Sequence, residues 1–131
     1  MLSDLVSFLG QQSAITSIVS TRVYPVRLPQ KPTLPALSYT QISAVRVKDL
    51  SGPAGKARRR IQIDSWATTA KGARDLADAV RQAVEPFYGS WADTEVGSIS
   101  LDNEFETFEE EAGTVGLYRV MQDYIVAHLE D

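Results

Sequence analysis

The chain has 131 residues, which suits a single domain with one hydrophobic core. Hydrophobic residues make up 44% of it, so wholesale disorder is excluded, and the absence of cysteine excludes disulfides and thiolate metal sites. The formal net charge is only -4. No apolar run approaches the ~20 residues that a membrane helix needs, and the N-terminus, with Asp4 and no basic run, does not resemble a signal peptide.

Two short helices and an edge strand are predicted first. Leu2, Leu5, Val6 and Leu9 recur at helical spacing, with Ser3 as the expected cap and Gly10 as the expected end. A second short helix follows, capped by Ser13. Residues 22–26 have β character, but Pro25 cannot donate to a central ladder, so we place them at a sheet edge. Residues 27–35 contain three prolines and form an extended connection.

A long hairpin is predicted next. Residues 36–47 form a strand with apolar residues on both parities, so it is either covered on both faces or carries a bulge. Residues 48–57 contain Gly52-Pro53-Ala54-Gly55, which indicates a loop. Residues 60–64 alternate polar and apolar and form the returning strand. We therefore expect a hairpin with a mobile basic tip at residues 51–56.

An amphipathic helix follows the hairpin, since the period changes after Trp66. Its apolar stripe is Ala73, Leu76, Ala77, Val80, Ala83, Val84 and Phe87. Thr68 or Thr69 is the expected N-cap, and Pro86 marks the end. Burying the large members of the stripe contributes about 1.5–3 kcal/mol each.

The last third of the chain is predicted to be a connection and two strands. Residues 88–94 form the connection, residues 96–108 one strand, residues 109–114 a turn and residues 115–128 a final strand. Both faces of the final strand carry apolar residues, which indicates a central strand or one in an interface. The fold class is therefore α+β in one domain, 1–131. It has a mainly antiparallel sheet, one helix packed on a sheet face, and the order α-β-β-β-α-β-β.

The charge is unevenly distributed. Residues 46–60 contain six basic residues and one acidic residue, whereas residues 93–111 contain eight acidic residues and no lysine or arginine. This pattern indicates a charged partner, which can be another copy of the chain, or simply two solvated hairpins. The candidate interface or lumen residues are Arg46, Lys48, Lys56, Arg58, Arg59 and Arg60 on the basic side and Glu104, Glu106 and Glu109 on the acidic side.

No pattern in the sequence indicates catalysis. His128 is the only histidine, so a triad or histidine metal cluster is out of reach and we interpret it as a surface or strand-end residue. The Gly52–Lys56 stretch has neither the spacing nor the hydroxyl of a phosphate loop. Asp102, Glu104 and Glu106 are expected on one wet strand face rather than as an acid–base pair. Tyr88 and Trp91 are either a small binding patch or a lid on the core.

Several segments in a particular order resemble a known family. They are the opening amphipathic helix, Arg22-Val23-Tyr24-Pro25, a proline-rich link ending in Leu34-Pro35, and the Gly-Pro-x-Gly loop. Arg59-x-x-Ile-Gln-Ile-Asp-x-Trp-Ala then runs into an alanine-rich helix, and a last strand contains Tyr118-Arg119 and Asp123-Tyr124. Together they resemble the tail completion, or tail terminator, proteins of long-tailed bacteriophages and related gene-transfer particles.

The resemblance implies a structural protein of the virion with no cofactor and no enzymatic activity. Such proteins form a ring, usually of six subunits, on the head-proximal end of the tail tube, and meet the head connector. The implied partners are therefore other copies of the chain, the tail tube protein and the head connector, with DNA passing through the lumen without sequence-specific binding. The basic hairpin is expected to meet a neighbour's acidic segment or to line that lumen.

Three other functions stay open at this point. The chain can be another head–tail connector or minor tail component, a nucleic-acid-binding module, or a small enzyme whose site the sequence does not reveal. The pI near 5 and the lack of aromatic residues among the basic ones argue against sequence-specific nucleic-acid recognition.

Overall fold

The computed structural model describes residues 1–49, 52–91, 93–109 and 116–129, without the side chains of residues 47–49 and 52–54. In these ranges the chain forms helices α1 (Leu2–Gly10), α2 (Ser13–Val19) and α3 (Ala70–Val84). Its strands are β1 (Val23–Pro25), β2 (Ala36–Asp49), β3 (Gly52–Ala67), β4 (Gly89–Trp91), β5 (Thr94–Glu109) and β6 (Leu117–Leu129).

The six strands described form one sheet in the order β1-β2-β3-β6-β5-β4. Every neighbouring pair is antiparallel except β1 and β2, which run parallel. The α+β class with a mainly antiparallel sheet is therefore confirmed. One strand was missed, because β4 lies inside the stretch predicted as a connection. Three residues are too few to show a strand period, and the first of them, Gly89, has a φ of 122°.

Helix α3 matches its predicted stripe and packs on the sheet above β3 and β6. Thr69 is the N-cap, and its side chain accepts a hydrogen bond from the backbone N–H of Gly72. The helix ends at Val84, two residues before Pro86. The stripe residues that lie fully inside are Ala73, Leu76, Ala77, Val80 and Val84.

The two N-terminal helices extend the same helical layer. Leu5, Leu9, Ile15 and Val19 join the core cluster that Leu76 and Val80 also enter. The expected caps were wrong, because α1 already starts at Leu2 with Met1 as its N-cap, and α2 starts at Ser13 with Gln12 as its N-cap. Each serine therefore lies inside the first turn rather than before it. Gly10 is the last residue of α1, as expected.

Strands β2 and β3 form the long hairpin, and its loop is shorter than predicted. Pairing continues to Asp49 on one side and begins at Gly52 on the other, so most of the expected loop is strand. The Gly-Pro-x-Gly stretch is accommodated by a register shift, since Val47 pairs with Lys56 and the next residue, Lys48, pairs with Pro53. Gly55 has a φ of 71° at this shift. Ser51 lies outside the described residues, so the expected mobility of the tip stays a prediction.

A second register shift in β2 explains why apolar residues occur there on both parities. Gln41 pairs with Ile61 and Ser43 pairs with Arg60, so Ile42 is the extra residue of a bulge. Before the bulge Leu37 points into the core, and after it Val45 lies on the opposite face, 62% exposed. Of the two alternatives that the sequence left open, the bulge is the one found.

Strand β6 is central, as its two apolar faces indicated. It lies between β3 and β5, and Tyr124, Val126 and Met121 on its two faces are buried. The outermost strands β1 and β4 have only three residues each. They pair with residues 37–39 of β2 and 94–96 of β5, respectively. The remainder of β2 and of β5 therefore has no partner strand on its outer side within the chain described.

Candidate functional site

The candidate surface is the face of the sheet that the helices leave uncovered, together with the long strands β2 and β5 that border it. Alternate residues of β3 and β6 point away from the helices here, among them Arg58, Arg60, Asp64 and Asp123. Apolar side chains remain exposed on it as well, since Val45 is 62% and Phe105 42% accessible. The face is therefore mixed in character, with ion pairs among isolated apolar residues.

Arg60 lies at the centre of this face and connects the basic and acidic segments within one chain. Its Nη1 lies 2.7 Å from Oδ2 of Asp102 on β5 and 3.8 Å from Oδ2 of Asp123 on β6. The basic strand β3 and the acidic strand β5 flank β6, so one long side chain spans the distance. Part of the charge asymmetry seen in the sequence is thus neutralised inside the subunit.

The expectation that Asp102, Glu104 and Glu106 share one strand face is wrong. A register shift between Leu101 and Asn103 inserts an extra residue at Asp102. Asp102 therefore reaches Arg60 on the helix-free face, whereas Glu106 lies on the helix side. Strict alternation along a strand holds only where no residue is inserted.

Each predicted acidic residue has a partner within the chain. Glu106 accepts two hydrogen bonds from Arg74 of α3, Nε to Oε1 at 2.5 Å and Nη2 to Oε2 at 2.9 Å. Those hydrogen bonds hold the pKa of Glu106 below its usual value. Glu104 accepts a hydrogen bond of 2.9 Å from the neutral amide of Gln122, and Glu109 one of 3.3 Å from Arg119.

The basic residues divide into two groups. Arg59 lies on the helix side, where its Nε donates to Nε2 of His128 at 2.9 Å and its Nη1 donates to Gln41 at 2.9 Å. His128 is thus a strand-end residue, as expected, but it is buried rather than on the surface. Arg46 is exposed on β2, and the side chain of Lys48 lies outside the description.

Lys56 and Arg58 form the second group. Both are exposed on β3, and neither has an ion-pair or hydrogen-bond partner for its side chain anywhere in residues 1–49, 52–91, 93–109 or 116–129. They are therefore the members of the basic set whose charge is most available to a partner. Glu110 and Glu111, which belong to the acidic run, lie outside the described residues.

A polar network that the sequence did not predict lies on the helix-free face. Arg119 places its guanidinium 4.7 Å from the ring of Trp66 and donates to Asp64 at 2.7 Å. Asp64 also accepts from Gln62 at 2.8 Å, and Ser38 accepts from the Trp66 indole at 2.9 Å. Apart from Ser38, these residues occur in the motifs Ile-Gln-Ile-Asp-x-Trp and Tyr-Arg, so the two motifs meet where β3 pairs with β6.

Trp91 is a lid on the core rather than part of a binding patch. It is 4% exposed, stacks on Phe87 with ring centroids 5.3 Å apart, and meets Phe8 edge to face at the same separation. Tyr88 does not join it, since it is 79% exposed. The two aromatic residues that the sequence grouped together therefore have different environments.

The described residues offer no group of three or more histidine, aspartate or glutamate side chains arranged to hold a metal ion. A membrane-crossing helix is likewise absent from the part of the chain that the structure describes, because none of its helices is long and apolar enough. What this surface can do chemically is form hydrogen bonds, ion pairs and apolar contacts with another macromolecule.

Comparison with known proteins identifies a family and a shared fold. The family model described as "Tail completion protein gp17" matches residues 3–128. A solved chain from a structure titled "Virion of native gene transfer agent (GTA) particle" has a TM-score of 0.77 at 14% sequence identity. The alignment covers 98% of this chain and 94% of that chain, so the two share a fold. No protein of curated function matches the sequence.

Proposed function

The chain belongs to the Tail completion protein gp17 family, a structural component of the virion tail and not an enzyme, and we propose that it forms the ring that terminates the tail tube. In this proposal six copies close head to tail at the head-proximal end of the tube. The ring stops tube polymerisation on one side and binds the head connector on the other. The number six comes from the family resemblance.

The observation that carries the proposal is the extent of the family match. It spans residues 3–128, so it includes the helical layer, the long strands β2 and β5 and the polar network around Asp64 and Arg119. The match therefore extends over the exposed borders of the sheet as well as the core.

The geometry supports a ring for a second reason. The helices cover one face of the sheet only, and the two borders of the sheet are different surfaces, β2 on one side and β5 on the other. A contact between two different surfaces of identical subunits is head to tail, and it gives a closed ring when the rotation between neighbours divides a full turn.

Lys56 and Arg58 are the residues that we expect to face the DNA in the lumen of the ring. Both lie on the helix-free face without an ion-pair partner in the described chain. Lysine and arginine bind DNA phosphates without reading the bases, so a ring that presents them to its lumen tolerates any sequence of the passing DNA.

The decisive experiment removes the chain during particle production and measures two quantities by electron microscopy. Tubes of uncontrolled length are expected because termination is lost, and tails detached from heads are expected because joining is lost. Light scattering of the concentrated protein, alone and with tail tubes, then gives the mass of the assembled ring. Tails of normal length that carry heads in the absence of the chain would refute the proposal.

A charge variant tests whether Lys56 and Arg58 face the lumen or a neighbouring subunit. If Lys56→Glu/Arg58→Glu leaves rings intact but yields particles with impaired DNA transfer, the cations face the lumen. Weakened rings instead indicate a neighbour's acidic surface. Lys71→Glu is the matched control, since its side chain is 86% exposed on α3. Labelled chain found elsewhere than at the head–tail junction would favour another connector or minor tail component.

A further inference from the structure

The sheet has two open borders of comparable length. Beyond the three residues that β1 covers, β2 continues from Thr40 to Asp49 without a partner on its outer side among the described strands. Beyond the three that β4 covers, β5 continues from Gly97 to Glu109 in the same way. Backbone N–H and C=O groups along such borders form hydrogen bonds readily with a further strand.

Register shifts divide each border, on β2 at Ile42 and after Val47, and on β5 between Val96 and Ser98 and between Leu101 and Asn103. One regular run on each border is longer than the others. On β2 the run is Ser43–Val47, between the bulge at Ile42 and the shift after Val47. On β5 it is Asn103–Glu109, after the shift that inserts Asp102. A bulge interrupts regular pairing, so any strand added to these borders is expected to pair with these runs.

The side chains of the two runs are complementary on both faces of the sheet. On the helix-free face Val45 of β2 is 62% exposed and Phe105 of β5 is 42% exposed. On the helix side β2 presents Arg46, opposite Ala57 of β3, and β5 presents Glu104, opposite Gln122 of β6. A single register places the apolar residues opposite each other on one face and the charged residues opposite each other on the other face, because the two kinds of residue are neighbours in both strands.

We propose that β2 of one copy pairs antiparallel with β5 of the next, with Val45 opposite Phe105 and Arg46 opposite Glu104. Ser43 then lies opposite Thr107, and Val47 lies opposite Asn103. The proposal rests on the proposed ring and specifies its subunit contact. The strand directions are consistent with this pairing. Three antiparallel pairings separate β2 from β5, so the two strands run in opposite directions in one subunit. In a copy rotated about the ring axis, β2 therefore lies antiparallel to β5 of its neighbour.

The charges select this contact over a symmetric one. Glu106 is already held by Arg74, whereas Glu104 has only the neutral Gln122 amide and no cation in the described part of the chain. Arg46 opposite Glu104 therefore neutralises a charge that is otherwise unpaired. Pairing β5 with β5 would instead bring carboxylates together, and like charges at opposite positions destabilise a sheet.

Cysteine crosslinking tests the register, because the natural chain has no cysteine. The double variant Val45→Cys/Phe105→Cys is assembled into tails in the producing cell, oxidised, and analysed on a non-reducing gel. A covalent ladder extending to the full ring is expected. An internal disulfide cannot form, since the two positions are about 14 Å or more apart across three strand spacings, beyond the ~7 Å limit for a disulfide.

The controls give each outcome a meaning. Val45→Cys alone and Phe105→Cys alone should stay monomeric, and a dimer from either one overturns the head-to-tail contact. Val45→Cys/Ser98→Cys places the second thiol on β5 outside the predicted run and should not crosslink. Intact rings without a ladder in the main variant overturn the strand pairing and leave the ring standing. Tails without any ring overturn both proposals.

A charge exchange provides an independent measurement in solution. Arg46→Glu and Glu104→Arg should each weaken self-association of the concentrated protein by about three- to tenfold, and the double exchange should restore most of the loss. Arg27→Glu, on the exposed connection after β1, is the control and should have no effect. Single variants that associate as tightly as the natural chain contradict the charged pair.

Discussion

Replacing Arg119 by methionine is expected to destabilise the fold, because the substitution removes the cationic partner of a buried carboxylate. Methionine preserves the length of the side chain but removes the guanidinium that bonds Asp64 at 2.7 Å. The Asp64 side chain is only 2% exposed, against 22% for Arg119. The substitution therefore leaves a buried carboxylate with the neutral partners Gln62, at 2.8 Å, and Ser38, at 3.4 Å.

The expected loss in the free energy of unfolding is about 3–4 kcal/mol. Removing one partner of a buried ion pair costs about 3–5 kcal/mol, because the remaining charge is desolvated without compensation. The lower part of that range applies, since Arg119 retains some contact with solvent. Loss of the contact with the Trp66 ring contributes about 0.5–1 kcal/mol of this total, and the 3.3 Å bond to the half-exposed Glu109 contributes little.

The measurement is urea unfolding at pH 7 followed by tryptophan fluorescence, with an unchanged slope required as evidence of an unchanged transition. Asp64→Asn in the Arg119→Met background should recover about 1–2 kcal/mol, because it removes the unpaired charge and retains hydrogen bonding. Lys71→Met, which removes an exposed pair with Asp75, is the surface control and should leave the unfolding midpoint unchanged. A loss below about 1 kcal/mol for Arg119→Met, or no recovery in the double variant, would refute the reasoning.

Two further predictions concern helix α3. Leu76→Ala should lower the free energy of unfolding by about 2–5 kcal/mol, measured in the same urea assay, because Leu76 is fully buried against the sheet; a loss comparable to that of a surface substitution would contradict its place in the core. Arg74→Gln should raise the pKa of Glu106 toward its ordinary value, measured by carboxyl NMR titration. Since the folded-state pKa is lowered, the stabilisation from this pair is present above about pH 4.3 and is lost as the pH falls through the folded value; an unshifted Glu106 titration in the natural chain would show that the pair does not form in solution.

The local elements of this protein could be predicted because short-range patterns specify them. The stripe from Ala73 to Val84 has a helical period, and Thr69 and Pro86 flank it, so the bounds of α3 follow from residues that are neighbours in sequence. The apolar residues on both faces of β6 similarly indicated a central strand. Family membership was also readable in the sequence from the order and spacing of several motifs, and the family model matches residues 3–128.

The positions of interruptions in the strand period could not be predicted, although the apolar residues on both parities of β2 left a bulge there as one of two alternatives. The bulges at Ile42 and Asp102 each depend on how one strand aligns with another that is distant in sequence. Each reverses the faces of the residues that follow, so Asp102 and Glu106, which share a parity, lie on opposite sides of the sheet. The three-residue strand β4 was not predicted for a related reason, because a strand that short is defined by its pairing with β5 rather than by its own composition.

The charges show most clearly what sequence determined and what tertiary structure decided. Counting residues established that residues 46–60 are basic and residues 93–111 acidic. Only the strand order, with β6 between β3 and β5, brings Arg60 to Asp102, and only the packing of α3 brings Arg74 to Glu106. A side chain has a charge by its chemistry, but whether that charge is neutralised depends on distances of a few ångströms between residues far apart in the chain, and Lys56, Arg58 and Glu104 emerge as available for contacts only when those distances are known.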